Sequence, residues 1–228
     1  MNNDVVLVVV AHSDDETIGM GGTIKRHVNK GDKVIIMSMT NGVGSRENSN
    51  PNEINKRLIA SEKASKILGF SWIERYNYPD NEMDTCSTLD IVKNIEKAKI
   101  KYNPSIVYFH SEADLNVDHR ILSSAVLTAF RPQPGEHCRE LRVFEVPSAT
   151  DYGDESITGR FIPNLFIDIS VTWPYKLSAL KAYSEEIRDY PHSRSLEAIE
   201  NLAKIRGNQN GLNMAEAFQI IRKIEFPL

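Results

Sequence analysis

Near its start the chain has an uninterrupted apolar segment, residues 5–10, in which five of the six side chains are valine. Such a β-branched run is typical of a strand buried on both faces of a parallel sheet. Similar segments then alternate with segments in which apolar residues recur at helical spacing. The pattern predicts strands at 5–10, 33–39, 72–76, 105–109, 141–146 and 165–169, and helices at 17–30, 53–68, 89–102, 118–130, 175–190 and 195–206.

The alternation of strands and helices predicts an α/β fold, with a Rossmann-like, mainly parallel sheet and helices on both faces. Residues 215–224 fit either a helix or an edge strand, and the pattern does not decide between them. In the helix predicted at 89–102, the residues expected to face the core are Leu89, Val92, Ile95 and Ile100.

Composition and charge narrow the classes of protein. The 228 residues are 41% hydrophobic and 25% charged, which is ordinary for a globular domain, and no composition shift divides residues 1–228 into more than one domain. A formal net charge of −4 argues against a nucleic-acid partner. No stretch approaches the ~20 apolar residues of a membrane-spanning helix, and no signal peptide is evident. Cys86 and Cys138 lack the spacing of a thiolate metal site and indicate reduced thiols, so we expect a cytoplasmic protein. The sequence leaves open whether the protein forms an oligomer.

Two polar clusters follow predicted strands. The first, residues 12–16, contains one histidine and three acidic residues, and the second, residues 110–120, contains two histidines and several carboxylates. Ligands of parallel sheets bind outside the carboxyl ends of the strands, so we expect both clusters at one edge. Crowded carboxylates are costly unless a cation is bound. Imidazole and carboxylate without thiolate suit catalytic zinc or another divalent first-row metal.

The two clusters together could complete a metal site. A catalytic zinc ion takes three protein ligands and keeps one position open. His12 and Asp15 are two credible ligands, and His119 is a natural third. Asp118 or Asp114 could orient that histidine from behind, as carboxylates commonly do at zinc sites.

With these ligands in place, Asp14 could take a proton from an attacking water molecule. A simpler interpretation is that the first cluster only caps a helix, with its acidic residues on the helix dipole. His119 alone could be an ordinary buried or surface histidine. Two such clusters at the ends of strands in one parallel sheet favour the metal site.

A glycine-rich segment after the first strand raises the possibility of a dinucleotide site. Gly19, Gly21 and Gly22 fit the start of such a loop, but Ile24 stands where the third glycine belongs. The preceding acidic residues would also repel a pyrophosphate. We therefore interpret the glycines as close packing between helix and sheet.

The first cluster lies in the segment Ala11-His12-Ser13-Asp14-Asp15-Glu16, which resembles the Ala-His-Pro-Asp-Asp-Glu signature of the LmbE-like, or PIG-L, N-acetylglucosaminyl deacetylase family. The segments 19–24, 40–42 and 114–120 also fit, over roughly the first 130 residues. The resemblance implies a Rossmann-like α/β fold and zinc-dependent hydrolysis of an N-acetyl group on a sugar. It further implies zinc ligands at His12, Asp15 and His119, a general base at Asp14 and a substrate contact at Arg46.

The chain departs from the family pattern at two positions. Ser13 replaces the usual proline, with a small expected effect. Asn116 stands where several members have a histidine proposed to stabilise the oxyanion. An asparagine donates a hydrogen bond but is no general acid, so the proton for the leaving amine is left to Asp14, His110 or His192. A simpler alternative is that Asn116 only caps the following helix.

The remaining predicted site residues are less specific. We expect His192 and Arg194 to contact the substrate, in a wall that also includes Tyr152 and Trp173, although each could equally be ordinary packing. Glu16 is expected to support the site or the start of the helix.

Taken together, the sequence predicts a hydrolase of linear amide C–N bonds, a zinc-dependent deacetylase acting on a small N-acetylglucosamine-type sugar or conjugate. A zinc hydrolase of a non-sugar amide and a non-catalytic Rossmann-like module that binds a sugar or nucleotide are the alternatives. The acceptor could be free, or linked to a nucleotide, lipid or thiol.

Overall fold

One mixed sheet organises the computed structural model, which describes residues 3–44 and 51–225. The strands are β1 (Val5–Val10), β2 (Lys33–Thr40), β3 (Ser71–Tyr78), β4 (Ile106–His110), β5 (Glu140–Phe144), β6 (Leu165–Asp168) and β7 (Ala215–Lys223). The helices are α1 (Asp15–Lys30), α2 (Pro51–Leu68), α3 (Thr88–Tyr102), α4 (Val117–Ala129), α5 (Glu155–Thr158), α6 (Trp173–Ala182) and α7 (Leu196–Asn208). A short 3₁₀ turn covers Met83–Thr85.

The strand order is β3-β2-β1-β4-β5-β7-β6. The first five strands of this order pair in parallel, and β7 runs antiparallel to both of its neighbours. The predicted mainly parallel, Rossmann-like fold is therefore confirmed. The ambiguous segment near the C-terminus is a strand, but it lies inside the sheet, and β6 forms the edge beside it.

The valine-rich run explains the position of β1 in the centre of the sheet. Val6, Val8 and Val10 pack on the face covered by α1, α2, α6 and α7. Leu7 and Val9 pack on the opposite face, against α3 and α4. All five side chains are buried, so an apolar residue is needed at every position rather than at alternate ones.

Two predictions about helices were wrong. The side chains of Leu89 and Ile100 are 59% and 82% exposed, so they do not face the core. The buried face of α3 centres on Ile91 and Ile95, and at about 100° per residue both mispredicted positions point well away from it. The helix predicted at 175–190 ends already at Ala182, and Tyr183 and Glu186 in the turns that follow are buried.

The structure also bears on the membrane and cysteine predictions. Among the described residues, no helix combines the length and the apolar character needed to cross a bilayer. Cys86 is partly buried, Cys138 is fully buried, and both are free thiols.

Helix α1 bends at Met20, whose backbone angles (φ −146°, ψ 23°) are not helical. The bend frees backbone N–H groups of the following turn, and those of Gly22 and Thr23 donate to the carboxylate of Glu216 at 3.0 and 2.7 Å. The ammonium group of Lys176 pairs with the same carboxylate at 2.6 Å. The segment of α1 that follows the bend is thus fixed from β7.

The glycines of α1 permit close packing, as the sequence predicted. A Cβ atom at Gly19 would lie 2.4 Å from Cδ2 of Phe144, and one at Gly22 would lie 2.7 Å from Cγ2 of Ile169. Both neighbours are fully buried. At Gly21 the nearest atom, Cγ of Lys176, is 3.2 Å away.

We expect Gly19→Ala to lower the free energy of unfolding by about 1–3 kcal/mol, because the added methyl overpacks a buried aromatic ring. Gly21→Ala is the matched control, and it should change the free energy by less than about 1 kcal/mol, since helix propensity offsets a milder contact. Urea denaturation measures both. Equal stability of the two variants would contradict this packing.

Candidate metal centre and active site

The two polar clusters meet where the strand order reverses, between β1 and β4. These strands pair in parallel, with Val8 opposite Tyr108, so their carboxyl ends reach the same edge. His12 lies two positions after the last residue of β1, and residues 111–116 lead from β4 into α4, whose first turn carries His119. This is the switch point at which open α/β sheets bind their ligands.

Three side-chain atoms converge at this edge. Nδ1 of His12 lies 3.2 Å from Oδ2 of Asp15, and Nε2 of His119 lies 3.3 Å from each of these atoms. All three residues are buried. Tetrahedral bonds of about 2.0–2.1 Å place neighbouring ligand atoms about 3.3–3.4 Å apart, so the spacing fits a single metal ion.

Carboxylates contact both histidines at the ring nitrogens that do not belong to the three converging atoms. Nε2 of His12 lies 3.1 Å from Oδ2 of Asp118 and 3.0 Å from Oδ1 of Asp80. Nδ1 of His119 lies 2.9 Å from Oδ2 of Asp114. Because carboxylates only accept hydrogen bonds, these nitrogens carry the protons. Carboxylates in this position orient histidines at metal sites.

The protons on the outer nitrogens leave lone pairs on the inner ones. The inner nitrogens of His12 and His119 then face each other and Oδ2 of Asp15, so three acceptors lie together, and this Oδ2 also accepts from the backbone N–H of His12 at 2.9 Å. Although burial alone lowers the pKa of His119, Asp15 and Asp114 raise it to about 9. The cluster thus takes up a positive charge, either a proton or a metal ion.

We expect Asp114→Ala to weaken metal affinity by about 10- to 100-fold, because His119 loses the acceptor that fixes its ring. Competition with a chelator measures the affinity. Asp154→Ala, which removes the cap of α5 instead, is the control and should leave affinity unchanged. Equal affinities for the two variants would show that the carboxylate does not act through the histidine.

Asp14 lies beside the triad formed by His12, Asp15 and His119, between two arginines. Its Oδ1 is 2.8 Å from Nη2 of Arg57, and its Oδ2 is 3.4 Å from Nη1 of Arg194. Arg57 also donates to the backbone oxygen of Ser13 at 2.7 Å and pairs with Glu186 at 2.5 Å. Burial raises the pKa of the Asp14 carboxyl, and Arg57 opposes that effect. The carboxylate is therefore held in place and made more basic.

Sequence reasoning missed Arg57 and Asp80. Arg57 shares the buried face of α2 with Ser61, Ala64 and Leu68, and a charged residue on an otherwise small or apolar helix face is a signal for a buried role. Asp80 comes directly after β3, so it is a third acidic position at the same edge of the sheet. The rule that located the two clusters could have found it.

Glu16 supports the site without facing the triad. Its Oε1 accepts hydrogen bonds from the hydroxyl groups of Thr17 at 2.7 Å and Tyr183 at 2.9 Å. Burial raises its pKa to about 8, so the group is mostly protonated at neutral pH. A neutral carboxyl adds no further negative charge beside Asp14.

Asn116 caps α4, as in the simpler of its two interpretations. Its Oδ1 accepts from the backbone N–H groups of Asp118 at 2.8 Å and His119 at 3.4 Å. Its Nδ2 donates to Oδ1 of Asn81 at 2.8 Å. The side chain thus fixes the turn that carries the third candidate ligand, and its amide protons have a partner other than an oxyanion.

The contacts of His110 contradict its predicted role as a proton donor. Its Nε2 accepts from the backbone N–H of Ala11 at 3.0 Å, and its ring stacks on that of His119 with centroids 3.8 Å apart. Burial lowers its pKa to about 4, so the ring is neutral. His110 stacks on the His119 ring, and at neutral pH it lacks the second ring proton that a charged imidazolium would give to an amine.

The predicted substrate contacts fall in different places. Arg46 lies outside the described residues. Arg194 reaches Asp14, and its backbone N–H donates to Nδ1 of His192 at 3.0 Å. The His192 ring meets that of Tyr152 edge-on at 6.3 Å. Trp173 is buried in the core beside α1, so the prediction that it forms part of a substrate wall was wrong.

Comparison with known proteins gives consistent results. A family model described as PIG-L, GlcNAc-PI de-N-acetylase, matches residues 7–130. Diacetylchitobiose deacetylase of Thermococcus kodakarensis is 27% identical over 229 residues, 96% of this chain and 84% of that protein. A probable N-acetyl-alpha-D-glucosaminyl L-malate deacetylase 2 of Bacillus cereus is 27% identical over 188 residues, covering 79% of this chain and 83% of that protein.

A solved structure shows the same fold. The N,N'-diacetylchitobiose deacetylase from Pyrococcus horikoshii superposes with a TM-score of 0.77 at 23% identity, over 97% of this chain and 85% of that one. The two sequence relatives are named as deacetylases, and the likeness extends well beyond the residues matched by the family model.

Proposed function

The chain belongs to the PIG-L family of GlcNAc-PI de-N-acetylases, and from that premise we propose that it hydrolyses the N-acetyl group of an N-acetylglucosamine-type sugar or conjugate. The products are acetate and a free amine. The observation that carries this proposal is the convergence of His12, Asp15 and His119, with Asp14 beside them. Relatives named as deacetylases of sugar substrates support it.

The proposed cofactor is zinc, or another divalent first-row metal, held by His12, Asp15 and His119. Two imidazole nitrogens and one carboxylate oxygen, without thiolate, form a ligand set that suits catalytic zinc. When bound, the metal polarises the acetyl carbonyl and lowers the pKa of water toward about 7. The buried carboxylates behind the histidines offset its positive charge.

Asp14 is the proposed general base. Its carboxylate accepts a proton from water as the water oxygen bonds to the acetyl carbon. When the C–N bond breaks, the same proton passes from Asp14 to the amine nitrogen. Asp14 suits this return because His110 is neutral and Asn116 carries no acidic proton, and His192 is the alternative proton donor. Burial makes the carboxylate more basic, and Arg57 fixes its direction.

Arg194 and His192 remain proposed substrate contacts, since Arg194 joins Asp14 to the more exposed residues around the site. The cytoplasmic location likewise remains a proposal, supported by the two free cysteines.

Acetate release from zinc-loaded protein tests the function. We expect release from N-acetylglucosamine conjugates at a rate at least about a hundredfold above that from an N-acetylated amine without a sugar ring. Equal rates on both would favour the amide hydrolase that acts on non-sugar substrates. A protein with no affinity for zinc and no acetate release would favour a non-catalytic binding module.

A further inference from the structure

A cavity of about 610 Å³ lies beside the metal centre rather than at it. It opens between α7 and the segment that follows β5. Its size is within the range of small-molecule sites, and it is larger than one sugar ring needs. Because β5 runs parallel to β4, the segment after it begins at the same edge of the sheet as the metal centre.

The cavity shares walls with the residues that hold the site. On one side, the hydroxyl of Thr150 donates to Oδ2 of Asp114 at 3.1 Å, the same oxygen that accepts from His119. On the other side, the backbone oxygen of Pro147 accepts from Nε of Arg194 at 3.3 Å. Both Thr150 and Pro147 line the cavity. A substrate longer than one ring, with its acetamido group at the centre, therefore has this space for its next unit.

The charged side chains around the cavity disfavour an anion. Arg206 forms a two-pronged ion pair with Glu145, at 2.8 and 2.6 Å, so its positive charge already has a carboxylate partner. Arg160 pairs with Glu155 at 3.4 Å. Asp151 is a third acidic residue beside these two acid–base pairs. The charged side chains of the lining therefore sum to a net charge of −1. A phosphate or carboxylate would have to break an existing pair and face the extra acid.

The rest of the lining suits a neutral hydroxylated ring. Phe161, Ile162 and Leu202 present apolar surface, on which the C–H faces of a sugar can pack. The Oγ atom of Ser193 is buried and has no hydrogen-bond partner among the described residues. A hydroxyl group of a ligand would satisfy it, either as donor or as acceptor.

We propose that this cavity binds a second, neutral sugar ring of the substrate, which makes the enzyme selective for N-acetylated oligosaccharides over phosphate-linked or carboxylate-linked conjugates. The proposal rests on the proposed function and assigns the substrate class to the same site. It places selectivity in the segment after β5 and in α7, away from the triad.

The test compares kcat/KM for acetate release from N-acetylglucosamine, N,N'-diacetylchitobiose and N-acetylglucosamine 1-phosphate. We expect the disaccharide to exceed the phosphate by at least about tenfold. Leu202→Trp, which fills the cavity, should lower the value for the disaccharide by about tenfold and leave that for the monosaccharide within about twofold. Leu127→Trp is the matched control, because Leu127 is also a partly buried leucine, on α4.

A phosphate conjugate hydrolysed as well as the disaccharide would overturn the proposal, as would an equal loss on both sugars in Leu202→Trp. If no sugar yields acetate, the proposed function fails separately. Calorimetric binding of N,N'-diacetylchitobiose then tests the cavity alone: weaker binding to Leu202→Trp than to Leu127→Trp supports it, and equal or undetectable binding in all proteins overturns it.

Discussion

Replacing His119 by alanine is expected to remove the metal and, with it, nearly all acetate release. Nε2 of this residue is one of the three converging atoms, and a catalytic zinc site needs three protein ligands. The change also leaves the buried carboxylate of Asp114 without its imidazole partner. The loss of activity should exceed the roughly 100-fold effect of removing a supporting carboxylate.

Metal per chain, measured by mass spectrometry after dialysis, and acetate release check this prediction together. His27→Ala is the matched control, because His27 is also well buried and contacts a carboxylate, Asp32, at 2.7 Å. It extends from the last turn of α1, on the other side of the fold from the metal centre. We expect this variant to lose stability and to keep the metal content of the wild type. A His119→Ala protein that keeps one metal per chain would contradict the assignment.

The second large effect is expected from Asp14→Asn, which should lower kcat by about 10²- to 10⁴-fold. The amide cannot accept the proton of water, and it loses the charge that pairs with Arg57. Asp14 contributes no atom to the triad, so metal content should stay at the wild-type level. This combination distinguishes a lost base from a lost ligand.

Steady-state kinetics and metal analysis on the same preparation give both readouts. Asp32→Asn is the control, since it also neutralises a buried aspartate. Asp32 contacts His27 and lies far from the triad. Its kcat should remain within about threefold of the wild type, as for a change outside the reacting groups. Full activity of Asp14→Asn would rule out this carboxylate as the base.

The sequence allowed much of the fold to be predicted because the signals are local. The valine run at 5–10 identified a strand buried on both faces, and the rule that parallel strands end at one edge brought His12 and His119 together. Leu89 and Ile100 were misplaced because several faces of α3 contain apolar residues, and only packing against the sheet selects one.

The rest of the site depends on contacts between distant segments. Arg57 reaches Asp14 from α2, 43 positions along the chain, and no pattern within α2 identifies its partner. Asp80 contacts His12 only because β3 and β1 belong to one sheet. The neutral state of His110 follows from its complete burial, which residue type and spacing do not reveal.

A single metal ion held by His12, Asp15 and His119 is the proposed cofactor for hydrolysis of an N-acetyl group. Its most direct test is a titration of metal-free protein with zinc while acetate release from an N-acetylated sugar is followed. We expect activity to rise in proportion to bound zinc and to reach a plateau at one ion per chain. Maximal acetate release by the metal-free protein would contradict this assignment. So would the absence of acetate release when these ligands are fully occupied by zinc.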